Sequence, residues 1–297
     1  MPLDYQTNIL LTTKEAMSQA GMNIENFQSF DGFTGEIKKY LEINASTKLI
    51  YNYTKRGYTM FFPWCGLKLI DYENKKVNID NNDFKKVMEA YKDIYKQDWE
   101  SPPHYIDDTD LDAVVKGLIS GEYLFYKPFA INFFTYNYPA LLVVDQSPIY
   151  FPVLSTDGKK VGSVSNSAAI LKSSPNKANA YAFLKILLSQ NIQDADPVEL
   201  PISYNPVLNN AMEKRIKTYS QYQSTYEGKA TSVSEKILRE YGNMQTDVDE
   251  CQLYTGIPET LLNEIFTNYM LPYFKNEDSY ENCLNKTRNF LELYMSE

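Results

Sequence analysis

Apolar residues recur along the chain with two spacings, and each spacing predicts its own kind of element. Alternating or continuous apolar runs predict strands at 5–11, 122–126, 149–154 and 163–171. Apolar residues three or four positions apart predict helices at 13–20, 30–41, 82–97, 109–119, 174–188, 258–269 and 280–294. Because strands mix with helices early and only helices are predicted after 206, the pattern indicates an α/β protein with a helical C-terminal section.

The helix at 82–97 has the clearest pattern. Its apolar side chains fall on one face with lysines opposite, so we expect that face to lie in the core. The predicted core residues are Phe84, Val87, Met88, Tyr91, Ile94 and Tyr95. Two other helices carry end signals: Gly21 is placed to cap the end of the first helix, and Ser174-Pro175 opens the one at 174–188.

Composition and charge exclude several classes of protein. The 297 residues predict about two domains, and 29 basic against 38 acidic residues give a net charge of −9. An acidic surface argues against a nucleic-acid partner. The three cysteines lie far apart, which indicates neither a zinc site nor a disulfide framework. The single histidine, His104, lies in a proline-bearing loop, where we expect a structural role.

Membrane and targeting signals are weak in this sequence. No apolar run approaches the roughly 18 residues of a membrane-spanning helix. Residues 1–4 lack the basic start of a signal peptide, so we expect a chain that is cytoplasmic or begins downstream of its export signal.

An acidic run at 107–112 is the best candidate for a metal site. It contains Asp107, Asp108, Asp110 and Asp112. A calcium loop starting at Asp108 would need glycine at its sixth position and glutamate at its twelfth, but Ala113 and Ile119 stand there. We therefore expect these carboxylates to cap a helix and to meet its dipole, and we expect no metal or cofactor.

Aromatic residues are abundant and cluster in two stretches, 58–66 and 125–134. The chain has 25 Tyr, 15 Phe and 2 Trp, and proline or glycine interrupts both stretches. Most aromatic residues are expected to be ordinary packing residues. Aromatic faces in such loops also suit the stacking of sugar rings, and neighbouring amides and carboxylates can bind the hydroxyls.

Several stretches carry a resemblance to a known family, in the order that the family shows. They are 2–11 with Lys14 and Ala20-Gly21, 30–33, Cys65-Gly66, 77–81, 116–122, Pro128-Phe129, 150–154, 168–184 and 200–203. Together they make the chain resemble the extracellular solute-binding proteins of ABC importers, the maltose-binding-like family 1. The stretch at 168–184 closely resembles the family's "S-K-N-K" segment and the helix that follows, with Ser174-Pro175-Asn176-Lys177 at the place of that segment.

This resemblance implies a type II periplasmic-binding-protein fold with two lobes that close on a ligand like a hinge. Residues 1–150 and 206–297 would form a largely complete second lobe. Residues 151–205 would be the remnant of a partial first lobe, since the chain begins at the family's first crossing between lobes. Its side chains Leu154, Val161, Ile170, Phe183, Leu184 and Leu187 would then pack against a lobe that is absent, so we expect an exposed surface and weak ligand binding.

The resemblance also implies a ligand site without a catalytic residue. The residues carried over by position are Gln6, Tyr58, Trp64, Phe129, Asn132 and Tyr254. Phe129 stands where the family has tryptophan, and Tyr254 is the nearest candidate for the family's late aromatic residue. The implied partners are a saccharide and an ABC permease, and the implied form is a monomeric, extracytoplasmic lipoprotein whose anchor is absent from this chain.

Two other functions are compatible with the residues. A glycoside hydrolase would place two carboxylates across a cleft, which is possible with 38 acidic residues in the chain. A cell-surface adhesion or scaffold module would instead place the aromatic residues on a flat exposed face.

Overall fold

The computed structural model describes residues 2–43, 48–51, 65–99, 111–126, 137–152, 154–164, 166–194, 205–246, 251–254 and 259–296. The helices are α1 Lys14–Ala20, α2 Phe30–Ile43, α3 Asn82–Trp99, α4 Leu111–Ser120, α5 Tyr138–Val143, α6 Lys177–Leu187, α7 Gln190–Gln193, α8 Asn209–Ser220, α9 Glu235–Thr246, α10 Glu259–Glu264, α11 Leu271–Phe274 and α12 Tyr280–Ser296. A 3₁₀ helix, Ile24–Gln28, precedes α2, and a π-helical turn, Ile265–Tyr269, follows α10. None of the described helices combines the length and apolarity needed to cross a bilayer.

The strands are short, as in most α/β proteins. They are β1 Asp4–Thr7, β2 Ile9–Thr13, β3 Lys48–Tyr51, β4 Ile70–Asp71, β5 Lys76–Val77, β6 Tyr123–Tyr126, β7 Pro148–Pro152, β8 Lys160–Ser163, β9 Asn205–Pro206, β10 Ser224–Tyr226, β11 Lys229–Thr231 and β12 Cys251–Tyr254. They form two four-stranded sheets and two hairpins. We call the sheet ordered β3-β6-β2-β7 sheet A and the sheet ordered β12-β8-β1-β9 sheet B.

Most of the predicted helices are confirmed. Helix α1 shows why the ends of a helix can be predicted from the sequence. The Thr13 hydroxyl accepts a hydrogen bond from the Ala16 amide at 3.0 Å and so caps α1 at its start. Gly21 adopts a left-handed conformation with φ 66°, and its amide bonds back to Ser18 at 3.1 Å. Glycine takes this conformation without steric cost, so the sequence signal and the observed end coincide.

Two predictions of secondary structure are wrong. The strand predicted at 163–171 is replaced by β8, which begins earlier and ends at Ser163. Residues 165–169, in the middle of the predicted strand, are small or polar, and such residues fit a pleated sheet poorly. The prediction of helices alone after 206 missed β10, β11 and β12, because short strands are defined by distant pairing as much as by local pattern.

The helix predicted to open at Ser174-Pro175 begins later, at Lys177. The Ser174 hydroxyl accepts a hydrogen bond from the Asn176 amide at 3.2 Å. The serine therefore stabilises a turn before the helix and does not cap its first turn.

Sheet A lies between two apolar cores, and apolar side chains of its strands face both of them. Along β2, Leu10 faces one core, whereas Ile9 and Leu11 face the other, and all three are fully buried. Successive strand residues point to opposite faces, so a continuous apolar run is typical of a sheet covered on both sides. Helices α2, α3 and α12 contribute to the first core, and α4, α5, α8 and α9 contribute to the second.

The predicted face of α3 is buried in the first core. Phe84, Val87, Met88, Tyr91 and Ile94 are each exposed by 8% or less. The sixth predicted residue, Tyr95, belongs to a part of α3 whose side chains lie outside the description. The Tyr91 ring meets Phe266 and Phe274 with 5.0 Å between centroids in each pair, a spacing typical of packed aromatic pairs.

Sheet B includes β8, which belongs to the segment predicted to be a partial lobe. Strand β1 pairs antiparallel with β8 and with β9, and β12 adds to β8 in parallel. The expected exposure is confirmed for Phe183, which is 59% exposed. Leu154, Ile170, Leu184 and Leu187 are half-buried. The expectation is wrong for Val161, which is fully buried because β8 lies inside sheet B.

Candidate functional site

The two sheets meet where the chain passes from one to the other twice. Strands β1 and β2 are separated only by Asn8, whose amide donates to the Val161 carbonyl at 2.8 Å. The return passage runs from β7 in sheet A to β8 in sheet B. Between them, residues 155–159 form a turn in which Gly158 has φ 81° and the Ser155 amide donates to Lys159 at 2.8 Å. We call this region the junction.

One row of sheet B brings two of the predicted site residues together. Gln6 of β1 lies opposite Ser163 of β8, and Tyr254 of β12 lies opposite the same Ser163 from the other side. In-register neighbours occupy the same face of a sheet, so these three positions form one row of amide, hydroxyl and phenol residue types. The side chains of these three residues lie outside the description, and the placement rests on the backbone register.

Ser163 is a residue of this row that sequence reasoning missed. Nothing local marks it, because its place follows from the pairing of β8 with β12, and these strands are far apart in the chain. Because β12 was not predicted, its pairing with Ser163 could not be predicted either. Tyr254, in contrast, was predicted from the family resemblance.

A buried carboxylate fixes the start of β1 beside this row. Asp4 is 1% exposed, and its two carboxylate oxygens accept hydrogen bonds from the backbone amide of Asn166, at 2.8 Å, and from the Asn166 side chain. The Leu3 amide donates in turn to the Asn166 carbonyl at 2.9 Å. A carboxylate with both oxygens engaged in this way positions backbone and is poorly placed for general acid or base chemistry.

A second buried side chain, Gln193, joins three segments around sheet B. It is 2% exposed, and its amide nitrogen donates to the carbonyls of Leu3 at 3.1 Å and Leu187 at 3.3 Å. Its amide oxygen accepts from the Val207 backbone at 2.8 Å. Gln193 therefore links helices α6 and α7 to the first strand and to the exit of β9. Sequence reasoning missed it, because a glutamine in a short polar helix resembles a surface residue.

Three tyrosines pack between sheet A and the second core. Tyr150 lies 6.2 Å, ring to ring, from both Tyr138 and Tyr241. Burial, together with the nearby charge of Glu240, raises the pKa of Tyr150 to about 12, so its phenol stays protonated at neutral pH. These residues account for part of the tyrosine excess as packing.

The remaining predicted site residues lie outside the described part of the chain. They are Tyr58, Trp64, Phe129 and Asn132. His104, Asp107, Asp108 and Asp110 lie outside it as well. Asp112 is exposed in the first turn of α4, and among the described residues no group of three His, Cys, Asp or Glu side chains could hold a metal ion.

The described members of the two aromatic stretches are core residues. Cys65 is 2% exposed, and Phe125 and Tyr126 are fully buried. Burial in apolar surroundings raises the pKa of the Cys65 thiol well above its ordinary range, which makes it unreactive. These ends of the stretches pack the protein, as expected for most of its aromatic residues.

Comparison with known structures decides the fold. The chain is similar to the sugar-binding protein MalE from Xanthomonas citri (TM-score 0.62, 15% identity), with 100% of this chain and 70% of that chain covered. It is also similar to an ABC transporter solute-binding protein from Thermotoga lettingae bound with α-D-tagatose (0.58, 16%, with 99% and 72% covered). A cyclic α-maltosyl-1,6-maltose binding protein from Arthrobacter globiformis matches likewise (0.59, 12%, with 99% and 71% covered).

The chain has a type II periplasmic-binding-protein fold. No protein-family model and no curated protein sequence matches it, so the similarity lies in the fold. Because the match spans this whole chain but only about 72% of the matched chains, the fold is present with a partial lobe architecture.

Proposed function

We propose that this chain is the sugar-binding component of an ABC importer, of the maltose-binding-like family 1. It would bind a saccharide or oligosaccharide between two lobes and deliver it to the permease. The main support is the match of the whole chain to the fold of proteins described as binding sugars. Since one fold can carry many functions, the ligand is set by the residues of the site.

The lobes in this proposal follow the crossings of the chain. Residues 1–150 and 206–297 form the second lobe, and 151–205 form part of the first. The turn 155–159, on the return passage from sheet A to sheet B, supports the boundary near residue 150. Strand β1 is then a crossing strand, since it pairs with β8 of the partial lobe.

The proposed ligand site combines polar residues of sheet B with aromatic residues of the stretches 58–66 and 125–134. Gln6 and Tyr254, on either side of Ser163, would bind sugar hydroxyls. Tyr58, Trp64 and Phe129 would stack on sugar rings, and Asn132 would add an amide. A few polar groups that fix orientation beside aromatic faces are typical of carbohydrate sites.

The proposal includes no catalytic residue and no cofactor. The protein would act outside the cytoplasm as a monomeric lipoprotein held at the membrane by a lipid anchor. The matched proteins are described as binding proteins, which supports a non-enzymatic role.

Saturation-transfer NMR with maltose, α-D-tagatose and β-1,6-galactobiose tests this function. We expect weak binding of the given 297 residues, in the millimolar range of about −4 kcal/mol, because more than a quarter of each matched sugar-binding chain has no counterpart in them. Tyr254→Ala should abolish the transfer. The matched control is Tyr294→Ala, which removes a partly exposed tyrosine of α12 and should leave the transfer unchanged.

Three outcomes would contradict the proposal. Absence of transfer with every sugar would exclude the binding function. Nanomolar affinity would exclude a partial cleft. Release of nitrophenol from nitrophenyl glycosides would favour the hydrolase alternative, with its carboxylate pair.

A further inference from the structure

Asn137 is a buried amide at the start of α5. The residue is fully buried, and neither its Oδ1 nor its Nδ2 atom has a hydrogen-bond partner among the described residues. Buried polar side chains are nearly always hydrogen-bonded, because an unpaired amide away from water destabilises the folded protein. The side chain of Asn137 therefore indicates a partner that is not one of the described residues.

A capping role does not explain this asparagine. Asparagine is common just before the first turn of a helix, where its side-chain oxygen accepts a hydrogen bond from a backbone amide. Asn137 immediately precedes α5, but its φ of −63° and ψ of −50° are helical, and its side chain makes no capping bond. Thr13, which does cap α1, has the extended backbone of a cap residue, with φ −125° and ψ 155°. The amide of Asn137 thus does not stabilise the helix that it precedes.

Asn137 lies close to the junction between the two sheets. The ring of the next residue, Tyr138, is 6.2 Å from the ring of Tyr150 in β7. Tyr150 is two residues before Pro152, which pairs with Ile9 at the start of β2, beside the junction. Two strand residues span about 7 Å. The buried amide is therefore placed near the point where the chain passes from one sheet to the other.

The edge of sheet A at the junction also leads to the two aromatic stretches. Strands β3 and β6 are parallel, with Tyr51 beside Tyr126, and both end toward the side on which β2 begins. In the sequence, the stretch 58–66 follows β3, and the stretch 125–134 starts in β6 and ends three positions before Asn137. Asn137 is thus connected to this edge both by the chain and by the packing of Tyr138.

The chemistry of an amide narrows the kind of partner. Nδ2 donates two hydrogen bonds and Oδ1 accepts, so a complete match both accepts and donates. An ionised carboxylate only accepts, and an ammonium group only donates. A hydroxyl group does both, and two neighbouring hydroxyls of a sugar ring can bind the two ends of one amide.

We propose that the Asn137 amide binds hydroxyl groups of the ligand and is a further residue of the proposed site. This inference rests on the proposed function, because it places a saccharide at the junction. A side chain that is satisfied only by the ligand lowers the stability of the free protein and raises its affinity. Such a conflict between stability and function is typical of binding sites.

Asn137→Leu tests both consequences, and Thr12→Val is the matched control. Leucine has the same branching at Cγ as asparagine. Thr12 is also fully buried, with no partner for its hydroxyl among the described residues, but it shares a strand face with Leu10, in the first core. Without sugar, neither variant should lower the Tm. With maltose, α-D-tagatose or β-1,6-galactobiose, only Asn137→Leu should reduce saturation transfer, by at least about fivefold, the loss of one to two hydrogen bonds.

The side-chain NH₂ group of Asn137 gives a direct reading in the wild-type protein. Its signal is the one that Asn137→Leu removes from the ¹⁵N spectrum. This signal should shift on addition of a sugar that shows transfer. The NH₂ signal of the exposed Gln190, identified in the same way with Gln190→Ala, should stay in place.

Four outcomes would overturn the inference. If wild type binds sugar but Asn137→Leu binds equally well, or the Asn137 signal does not shift, this inference is wrong and the proposed function stands. If wild type binds no sugar, the proposed function is wrong, and this inference fails with it. A Tm several degrees lower for Asn137→Leu than for Thr12→Val would identify a partner already present in the free protein, such as a buried water. A shift caused by trialanine and not by sugars would indicate a peptide ligand.

Discussion

Helices α3 and α6 both carry regularly spaced apolar residues, but only α3 has its apolar face buried. On α3, Phe84, Val87, Met88 and Tyr91 are at most 1% exposed, within a core that covers one face of sheet A. On α6, beside sheet B, no side chain is buried. Helical periodicity therefore identifies which side chains form an apolar face. It does not show whether another part of the protein covers that face.

The largest expected effect comes from truncating one aromatic residue in each helix. Tyr91→Ala should lower the free energy of unfolding by about 3 to 5 kcal/mol, because it leaves a cavity between Phe266 and Phe274. Phe183→Ala should change it by less than about 0.5 kcal/mol, because the side chain is exposed. Urea denaturation of both variants checks this, and equal losses would contradict the contrast between the helices.

Sheet B should depend more on its buried polar side chains. Gln193→Ala should cost about 1 to 3 kcal/mol, because the buried Gln193 amide is removed and the partly buried Val207 amide and Leu3 carbonyl lose their partner. Hydrogen exchange should speed up at the Val207 amide. The control is Gln190→Ala, which removes an exposed glutamine of the same helix and should leave that amide protected. Unchanged exchange in the Gln193 variant would mean that sheet B is held by other contacts.

Alanine substitutions at two helical glycines test how tightly the core around sheet A is packed. A Cβ at Gly117 of α4 would lie 2.3 Å from the Tyr123 ring, so Gly117→Ala should destabilise by about 1 to 3 kcal/mol. A Cβ at Gly35 of α2 meets nothing within 4 Å, so Gly35→Ala should stabilise by up to about 1 kcal/mol. Thermal unfolding distinguishes the two signs, and stabilisation by both would show a loosely packed core.

The smallest expected effect is a pH dependence of the free energy of unfolding, which arises from Glu36 of α2 beside sheet A. The Asn23 amide and the side chains of Lys39 and Asn26 bond to the Glu36 carboxylate and hold its pKa below the usual range. A carboxyl group whose pKa is lowered in the folded state stabilises the fold at pH values above its ordinary pKa of about 4.3. This stabilisation is lost as the pH falls through the lowered pKa of the folded state. Wild type should therefore exceed Glu36→Gln in unfolding free energy at pH 7, by a margin that shrinks toward pH 3. A constant margin would exclude this linkage.

Much of the fold could be predicted where local chemistry specifies it. The cap at Thr13, the left-handed Gly21 and the buried face of α3 are all encoded within a few residues. The fold class came from the order of short stretches along the chain. The strand predicted at 163–171 failed, and β12 was missed, because short strands depend on partners that are distant in sequence.

Some residues of the candidate site could be predicted from the sequence, and others follow only from the tertiary structure. Gln6 and Tyr254 were predicted by resemblance, but their common neighbour Ser163 follows only from strand register. Gln193 and Asp4 escaped prediction, because a polar side chain shows its burial only when distant segments meet around it.

The sequence by itself determined the helices of sheet A's core and the acidic charge, and its family resemblance supplied the residues of the proposed sugar site. Only the tertiary structure decided that Gln6 and Tyr254 share one row, that Val161 is buried inside sheet B, and that Phe183 is not buried at all. The physical reason is the range of the interactions. Caps and helical faces arise from neighbours in the chain, whereas register and burial depend on which distant surfaces are present to pair and to cover.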